Sequence, residues 1–234
     1  MQNLYIDDVN ICSFYLCMKE RPIIPAPKRR VNKIEIPGRD GSLTEFEGYD
    51  DIEISIKLNA LEECEDIQSL SISIKDLIYS AKTIRLTDRP GYYKVKAVEI
   101  SEMENSIVPF LDFEAIFTCD PFLYAYSKLK KVNNGEKIFN PGTYFSRPLI
   151  RAKFSGKEDG EIRINENIIT LKEPDPSETY IIDCEMMDTY AERSLGNRNA
   201  HIKGNYPEMP KGFNIVRYSG SVAKLEIDGR WRYL

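Results

Sequence analysis

The strongest constraint on the fold is a strict alternation of apolar and polar residues at positions 52–58. Ile52, Ile54, Ile56 and Leu58 are separated by Glu53, Ser55 and Lys57. A period of two is the pattern of a strand with one buried face and one solvated face. This segment therefore predicts a half-buried β-strand.

The period changes in residues 63–82, where Ile67, Leu70, Ile74 and Leu77 follow a spacing of three to four. This spacing predicts one amphipathic helix. Acidic residues precede the stripe, at Glu62, Glu63, Glu65 and Asp66. Negative charge suits the positive end of a helix dipole, so we interpret this run as structural rather than as a metal or catalytic site.

The remainder of the first half is predicted to be β-rich. Short apolar runs at 2–6 and 11–16 suit strands, and the prolines of residues 21–30 predict an extended loop or arm, since proline cannot donate to a ladder. Strand-forming residues then flank two consecutive turn signals, Pro37-Gly38-Arg39-Asp40-Gly41. Residues 92–100 and 110–119 are predicted to be adjacent antiparallel strands.

The second half shows short strands at a spacing typical of a sandwich or barrel. A polar segment, 128–143, leads into them, and we place the domain boundary near residue 127. Asn165-Glu166-Asn167 and Asp228-Gly229 are predicted hairpin turns. The predicted strands are Pro148–Phe154, Glu161–Asn165, Ile168–Lys172, Thr179–Cys184, Ala191–Ser194, His201–Gly204, Gly212–Arg217, Val222–Ile227 and Trp231–Leu234.

Charge and cysteine content exclude several classes of protein. A net charge of −5 argues against a sequence-reading nucleic-acid binder, and we interpret the basic clusters at 28–30 and 128–131 as solvated loops. Five scattered cysteines predict reduced, mostly buried thiols rather than a disulfide framework or a zinc site. The first ten residues lack a secretory pattern and no apolar run is long enough to span a membrane, so we expect synthesis in the cytoplasm.

Catalytic motifs are absent from the sequence. His201 is the single histidine, and neither a nucleophile elbow nor a phosphate-binding glycine loop occurs. We expect no catalytic, cofactor-binding or metal-ligating residues, and no enzyme activity. Trp231, between Arg230 and Arg232, is a candidate sugar or partner contact, although a core position is the alternative.

Four local patterns resemble the distal tail proteins of long-tailed phages and prophages of Gram-positive bacteria. The first is Ile36-Pro37-Gly38-Arg39-Asp40-Gly41, and the second is the single helix. The third is the segment 117–124, FTCDPFLY. The fourth lies in the second half: Asn140-Pro141-Gly142-Thr143 before Ser146-Arg147-Pro148, then 181–185, then Gly204-Asn205-Tyr206-Pro207 before Gly212-Phe213-Asn214. The patterns span essentially the whole chain in order.

The resemblance implies a mainly β protein with two domains. Residues 1–127 would form a β-sandwich-like, ring-forming domain with one helix and an extended arm or hairpin. Residues 128–234 would form a β-sandwich similar to galectins and carbohydrate-binding modules. Six copies would form a ring at the virion tail tip, joining the tail tube protein to the tail-tip or baseplate hub and receptor-binding proteins. DNA would pass through the lumen without specific binding. The alternative function is a carbohydrate-binding adhesin module.

Overall fold

The computed structural model describes residues 3–60, 67–101, 104–105 and 111–234. The chain divides into two compact units, residues 1–124 with Leu234 (unit 1) and residues 125–233 (unit 2). Strands dominate both units, and a single α-helix occurs among the described residues. The predicted fold class, mainly β with two domains of the β-sandwich type, is confirmed.

Unit 1 is built around one antiparallel sheet and one helix. Its elements are β1 (Leu4–Ile6), β2 (Val9–Asn10), β3 (Leu16–Met18), β4 (Arg29–Glu35), β5 (Ser42–Tyr49), β6 (Ile52–Ala60), α1 (Ile67–Tyr79), β7 (Thr83–Leu86), β8 (Tyr93–Ile100), β9 (Glu104–Asn105), β10 (Leu111–Cys119) and β11 (Leu123–Tyr124). The main sheet has the order β2-β1-β7-β8-β10-β6-β3, with β9 beside β10. Strands β4 and β5 pair only with each other among the named strands.

The alternating segment behaves as predicted. In β6 the four apolar residues at 52, 54, 56 and 58 are buried, whereas Glu53, Ser55 and Lys57 are exposed. Helix α1 lies against β8 and β10 and buries Ile74 and Ile78 completely. The predicted pairing of 92–100 with 110–119 is also confirmed, since β8 and β10 are antiparallel neighbours. The acidic residues before α1 lie outside the described residues.

The prediction of a strand at 11–16 was wrong for most of that segment. Ile11–Phe14 forms a 3₁₀ turn, and strand β3 begins only at Leu16. The Asn10 side chain accepts a hydrogen bond from the Cys12 N–H at 3.0 Å and so caps the turn. Local side-chain capping of this kind competes with strand formation.

Unit 2 is a sandwich of two five-stranded antiparallel sheets. Its strands are β12 (Lys130–Val132), β13 (Lys137–Asn140), β14 (Leu149–Phe154), β15 (Gly160–Ile164), β16 (Asn167–Leu171), β17 (Thr179–Asp183), β18 (Asp188–Ala191), β19 (Ile202–Gly204), β20 (Gly212–Gly220), β21 (Val222–Asp228) and β22 (Arg232–Tyr233). One sheet has the order β12-β21-β14-β17-β18 and the other β13-β20-β15-β16-β19. The inward residues of both sheets form one core, which includes the edge-to-face pair of Phe154 and Tyr180.

Three predictions for unit 2 need correction. The polar segment 128–143 contains the edge strands β12 and β13. The segment is polar because only Val132, Ile138 and Asn140 of these strands face inward. A strand was predicted at Ala191–Ser194, but β18 spans Asp188–Ala191.

The Asp228-Gly229 pair is also not a hairpin turn, because β21 lies between β12 and β14. A type I′ turn needs positive φ at both central residues. The central residues of the predicted turn, Asp228 and Gly229, do not have positive φ. The residue with positive φ is the next one, Arg230, at 45°. The Asn165 turn, in contrast, joins β15 to β16 as a hairpin, as predicted.

Several residues that carry the sequence resemblance are internal anchors of unit 2. Asn140 is fully buried and donates to the carbonyl oxygens of Tyr144 and Met209, while its side-chain oxygen accepts from the Gly142 N–H. Asn214 is also fully buried, and its amide donates to the carbonyl oxygens at 210 and 212. Their conformational roles explain why asparagine stands at both positions.

Candidate functional site

The most exposed secondary structure in unit 1 is the hairpin formed by β4 and β5, which we call the arm (Arg29–Tyr49). Every residue from 28 to 47 is exposed. The two strands pair from Arg29 opposite Tyr49 to Glu35 opposite Ser42. A two-stranded hairpin on its own is marginally stable in water. In the part of the chain that the structure describes, the arm therefore lacks the cover that strands normally require.

The predicted turn motif Pro37, Gly38, Arg39, Asp40 and Gly41 forms the tip of the arm. The Arg39 N–H donates to the Ile36 carbonyl oxygen at 3.2 Å, and Gly38 has a φ of 81°. Proline followed by a glycine with positive φ is the pattern of a type II turn. A Cβ added at Gly38 or Gly41 would meet no atom within 4 Å, so the glycines serve backbone conformation at an open tip.

Apolar side chains lie on both faces of the arm. Val31 stands opposite Phe46, and Ile34 stands opposite Leu43. Directly opposed residues share a face and successive residues alternate, so the two pairs lie on opposite faces. Their exposure ranges from 39% for Leu43 to 47% for Phe46. Exposed apolar pairs therefore lie on both faces of the hairpin.

The base of the arm is fixed to unit 1. The Asp50 N–H donates to the Lys28 carbonyl oxygen at 2.8 Å, and the Tyr49 ring packs edge-to-face on Phe122. The proline-rich segment was predicted to be an extended loop or arm, and residues 21–28 form a loop in which Pro22 is buried and Ile24 packs against the core. This segment connects the core to the arm, and the projecting element is the hairpin itself.

A cleft opens at one edge of the sandwich in unit 2, with a volume of about 710 Å³. It lies where β12 and β13, the edge strands of the two sheets, are joined by the turn 133–136. Its lining residues come from 125–132, 136–141 and 227–233 and include the aromatic residues Tyr126, Phe139, Trp231 and Tyr233. The predicted contact residue Trp231 is therefore part of a concave site.

Trp231 combines the two roles that the sequence left open. It is half-buried, packs against the core of unit 2 and lines the cleft. A Cβ added at Gly229 would overlap the indole ring, so the ring lies directly on the glycine backbone. Tyr126 and Phe139 are more exposed, at 60% and 53%. Of these three rings, that of Trp231 is constrained and those of Tyr126 and Phe139 are accessible.

The turn before Trp231 is held by a dense set of polar contacts. Both terminal nitrogens of Arg230 donate to the Asp183 carboxylate, at 2.7 and 2.9 Å. Asp228 accepts from the Arg230 N–H at 3.0 Å and from the Ser127 hydroxyl. Bidentate arginine–carboxylate pairs fix geometry as well as adding energy. The position of Trp231 is consequently set by the fold rather than by a mobile loop.

The contacts with Arg230 also lower the pKa of the Asp183 carboxyl group. Burial alone would raise the pKa of Asp183, but the hydrogen bonds from Arg230 and from the Met186 N–H outweigh it and hold the pKa below its usual range. The acidic group therefore stays ionised in the folded protein. Burial alone would lower the pKa of Arg230. The hydrogen bonds to Asp183 and the negative charge of Asp183 outweigh burial and keep that pKa above its usual value.

The basic cluster Lys128–Lys131 was interpreted from the sequence as a solvated loop, and this is wrong for its second half. Lys130 and Lys131 belong to β12, and the lysines of the cluster line the cleft together with Lys137. Likewise, Arg29 and Arg30 belong to β4 rather than to a loop. The three residues of β12 are too few to show alternation, and every residue of β4 is exposed, so the sequence did not reveal either placement.

The described residues show no other arrangement that suggests chemistry. Within them, no group of three or more histidine, cysteine or acidic residues could hold a metal ion. Among the cysteines in this part of the chain, Cys119 and Cys184 are buried but Cys12 is exposed, and all are free. Cys64 lies outside it. None of the described helices has the length and apolar character needed to cross a membrane.

Comparison with known proteins shows what the fold is similar to. No protein-family model and no curated protein matches the sequence. Among solved structures, the SPP1 Dit (gp 19.1) protein, described as a paradigm of hub adsorption apparatus in phages that infect Gram-positive bacteria, matches with a TM-score of 0.75. The match covers 100% of both chains at 14% identity.

A second solved structure, the baseplate of phage p2 in its activated conformation with Sr, matches with a TM-score of 0.55. The match covers 97% of both chains at 11% identity. The similarity over essentially the whole length shows that the chain has the fold of a phage distal tail protein.

Proposed function

We propose that the protein is a structural virion component, a distal tail protein that forms a hexameric ring at the phage tail tip. The ring joins the tail tube protein to the tail-tip or baseplate hub and to receptor-binding proteins. The observation that carries the proposal is the exposed arm with apolar pairs on both faces. The shared fold over the full length supports it, and no catalytic role is assigned.

The arm supplies what a ring requires. A ring is built from head-to-tail contacts in which one surface of each chain binds a different surface of the next. A projecting hairpin with open edges can add to the sheet edge of a neighbour, while its two faces bury apolar side chains. The main sheet of unit 1 ends in the short strands β2 and β3, which are the edges available to such an arm.

Charge is consistent with a channel for DNA. The chain carries a net charge of −5, and a predominantly negative ring repels the phosphate backbone. Specific binding to nucleic acid normally requires a basic surface. In this proposal DNA therefore passes through the lumen without being held.

The arm side chains provide the experiment. In Leu43→Ser with Phe46→Ser, the chain loses two side chains that are 39% and 47% exposed. Covering the exposed half of each contributes about 1 kcal/mol. The pair then contributes about 2 kcal/mol per contact, and the association constant should fall about thirtyfold. Sedimentation velocity across a concentration series measures this shift.

A matched control is Leu195→Ser, which removes a leucine that is 73% exposed in unit 2. The control should assemble as the unsubstituted protein does, and both variants should keep its melting temperature at concentrations low enough for the chains to be monomeric. An arm variant that assembles with undiminished affinity would refute the role of the arm.

A second candidate function is a carbohydrate-binding adhesin module. The cleft favours it, because Trp231, Tyr126 and Phe139 line one concave site and aromatic rings stack on the faces of sugars. Binding on a glycan array that is lost in Trp231→Ala would support this function. An array on which the unsubstituted protein binds no glycan would contradict it.

A further inference from the structure

The cleft of unit 2 is strongly basic in a chain that is acidic overall. Lys128, Lys130, Lys131 and Lys137 line it, against the single carboxylate of Glu136. The whole chain has 37 acidic and 32 basic residues. A local excess of positive charge in such a chain needs a physical explanation.

The neighbouring carboxylates do not neutralise these lysines. Glu136 accepts from the backbone and side-chain nitrogens of Asn133, at 2.8 and 3.1 Å. Glu226, which pairs across the strands with Lys131, is bound by Arg151 and Lys224. In the part of the chain that the structure describes, no ion pair within 4.0 Å involves any of the four cleft lysines.

Protection of a sheet edge explains only part of this pattern. Charged residues on an edge strand, lysine above all, prevent it from pairing with other chains. That reason applies to Lys130 and Lys131 in β12 and to Lys137 in β13. It does not apply to Lys128, which precedes β12, nor to the aromatic residues that share the cleft.

We propose that this cleft binds an acidic saccharide, a sugar chain that carries phosphate or carboxylate groups. The aromatic rings stack on the apolar faces of the sugars, and the lysine ammonium groups neutralise the anions. Trp231 is already fixed by Gly229 and by the Arg230–Asp183 pair, so little ordering is needed on binding. The proposal rests on the sugar-binding candidate and is independent of ring assembly.

The dimensions favour a saccharide over a nucleic-acid strand. A volume of about 710 Å³ lies within the range of small-ligand sites, roughly 300–1,000 Å³. A single-stranded nucleic acid instead needs a groove that follows the backbone over several nucleotides. The cleft is one compact cavity lined by three short stretches of chain.

The test is isothermal titration of the full-length protein with two acidic probes, each beside its neutralised form. One probe is phosphorylated pentamannose with its dephosphorylated form, and the other is a galacturonic acid tetrasaccharide with its methyl ester. An oligothymidine is the nucleic-acid comparison. We expect at least one acidic probe to bind and its neutral form to bind at least tenfold more weakly. Raising salt from about 50 to about 500 mM should weaken that binding.

Variants assign the binding to the cleft. Lys130→Gln with Lys137→Gln should weaken binding of the acidic probe about tenfold. Lys203→Gln with Lys211→Gln, at exposed lysines outside the cleft, should leave it unchanged. Phe139→Ala tests the aromatic wall at an exposed ring, without the loss of core packing that Trp231→Ala brings.

The outcomes separate the two levels of the proposal. Equal affinity for acidic and neutral probes would overturn the acidic specificity and leave the sugar-binding candidate standing. Binding of the oligothymidine as tight as that of the saccharides would overturn the choice of ligand. Absence of binding to every probe would overturn the inference, whereas the sugar-binding candidate on which it rests is decided by the glycan array.

Discussion

Replacing Asp183 with asparagine tests whether the Arg230–Asp183 pair holds the turn before Trp231. Asp183 is 9% exposed as a residue, and its carboxylate accepts two hydrogen bonds from the guanidinium, at 2.7 and 2.9 Å. Asparagine keeps one oxygen but places an NH₂ group against a second donor. Arg230 then retains only the longer contact with Glu185, at 3.4 Å, as an ion pair among the described residues.

The expected loss follows from these contacts. One charge-assisted hydrogen bond contributes about 1.5–3 kcal/mol, and the variant loses one bond and the charge of the other. We therefore expect a loss of about 2 kcal/mol in the free energy of unfolding of unit 2 at pH 7. For a domain of this size the melting temperature should fall by about 8 °C.

The loss should depend on pH in a defined direction. The pKa of Asp183 is lowered in the folded protein, so its contribution is fully present above the unfolded pKa, about 3.9. It disappears as the pH falls through the lower, folded pKa. The difference between the unsubstituted protein and Asp183→Asn should thus shrink below about pH 4 and vanish at lower pH.

The assay is urea unfolding followed by tryptophan fluorescence, since Trp231 is the single tryptophan of the chain and reports on unit 2. Glu166→Gln is the control, because this exposed carboxylate makes no ion pair in the described part of the chain. Asp183→Asn with the stability of the control at pH 7, or with a deficit that stays constant down to pH 2, would refute the reasoning.

Two further predictions concern backbone and thiols. Gly142→Ala should destabilise unit 2 by about 3 kcal/mol, because the added Cβ would overlap the Arg232 carbonyl oxygen. Gly156→Ala, with open space at its Cβ, should change stability by less than about 1 kcal/mol, and equal effects in urea unfolding would contradict the packing. Burial raises the pKa of the Cys119 thiol to about 12, whereas Cys12 is exposed. Iodoacetamide at about pH 8 should therefore label Cys12 and spare Cys119 in the folded protein, as peptide mapping will show; equal labelling would contradict the burial.

The sequence predicted the elements in which a periodic apolar pattern meets one core. Strand β6 and helix α1 are examples, since burial on one face decides both structures. Strands β12 and β13 were not predicted, because their stability comes from pairing with β21 and β20 rather than from their own apolar content. Edge strands of this kind carry little periodic signal.

The candidate sites were predicted only in part. The turn at 37–41 and Trp231 were both singled out, but the sequence could not show that the arm leaves the core. Val31 and Phe46 look like residues of an ordinary half-buried hairpin, and only their exposure in the structure shows otherwise. The basic wall of the cleft was missed because Lys128 and Lys137 are brought together by the sandwich, not by adjacency in sequence.

The most direct test of the central claim is the solution mass of the full-length protein, measured by light scattering after gel filtration. The proposed ring predicts about 162 kDa, the mass of six chains of 27.0 kDa, and electron microscopy of that fraction should show a central hole. A mass of 27.0 kDa at every concentration, or an open polymer without a fixed mass, would contradict the ring.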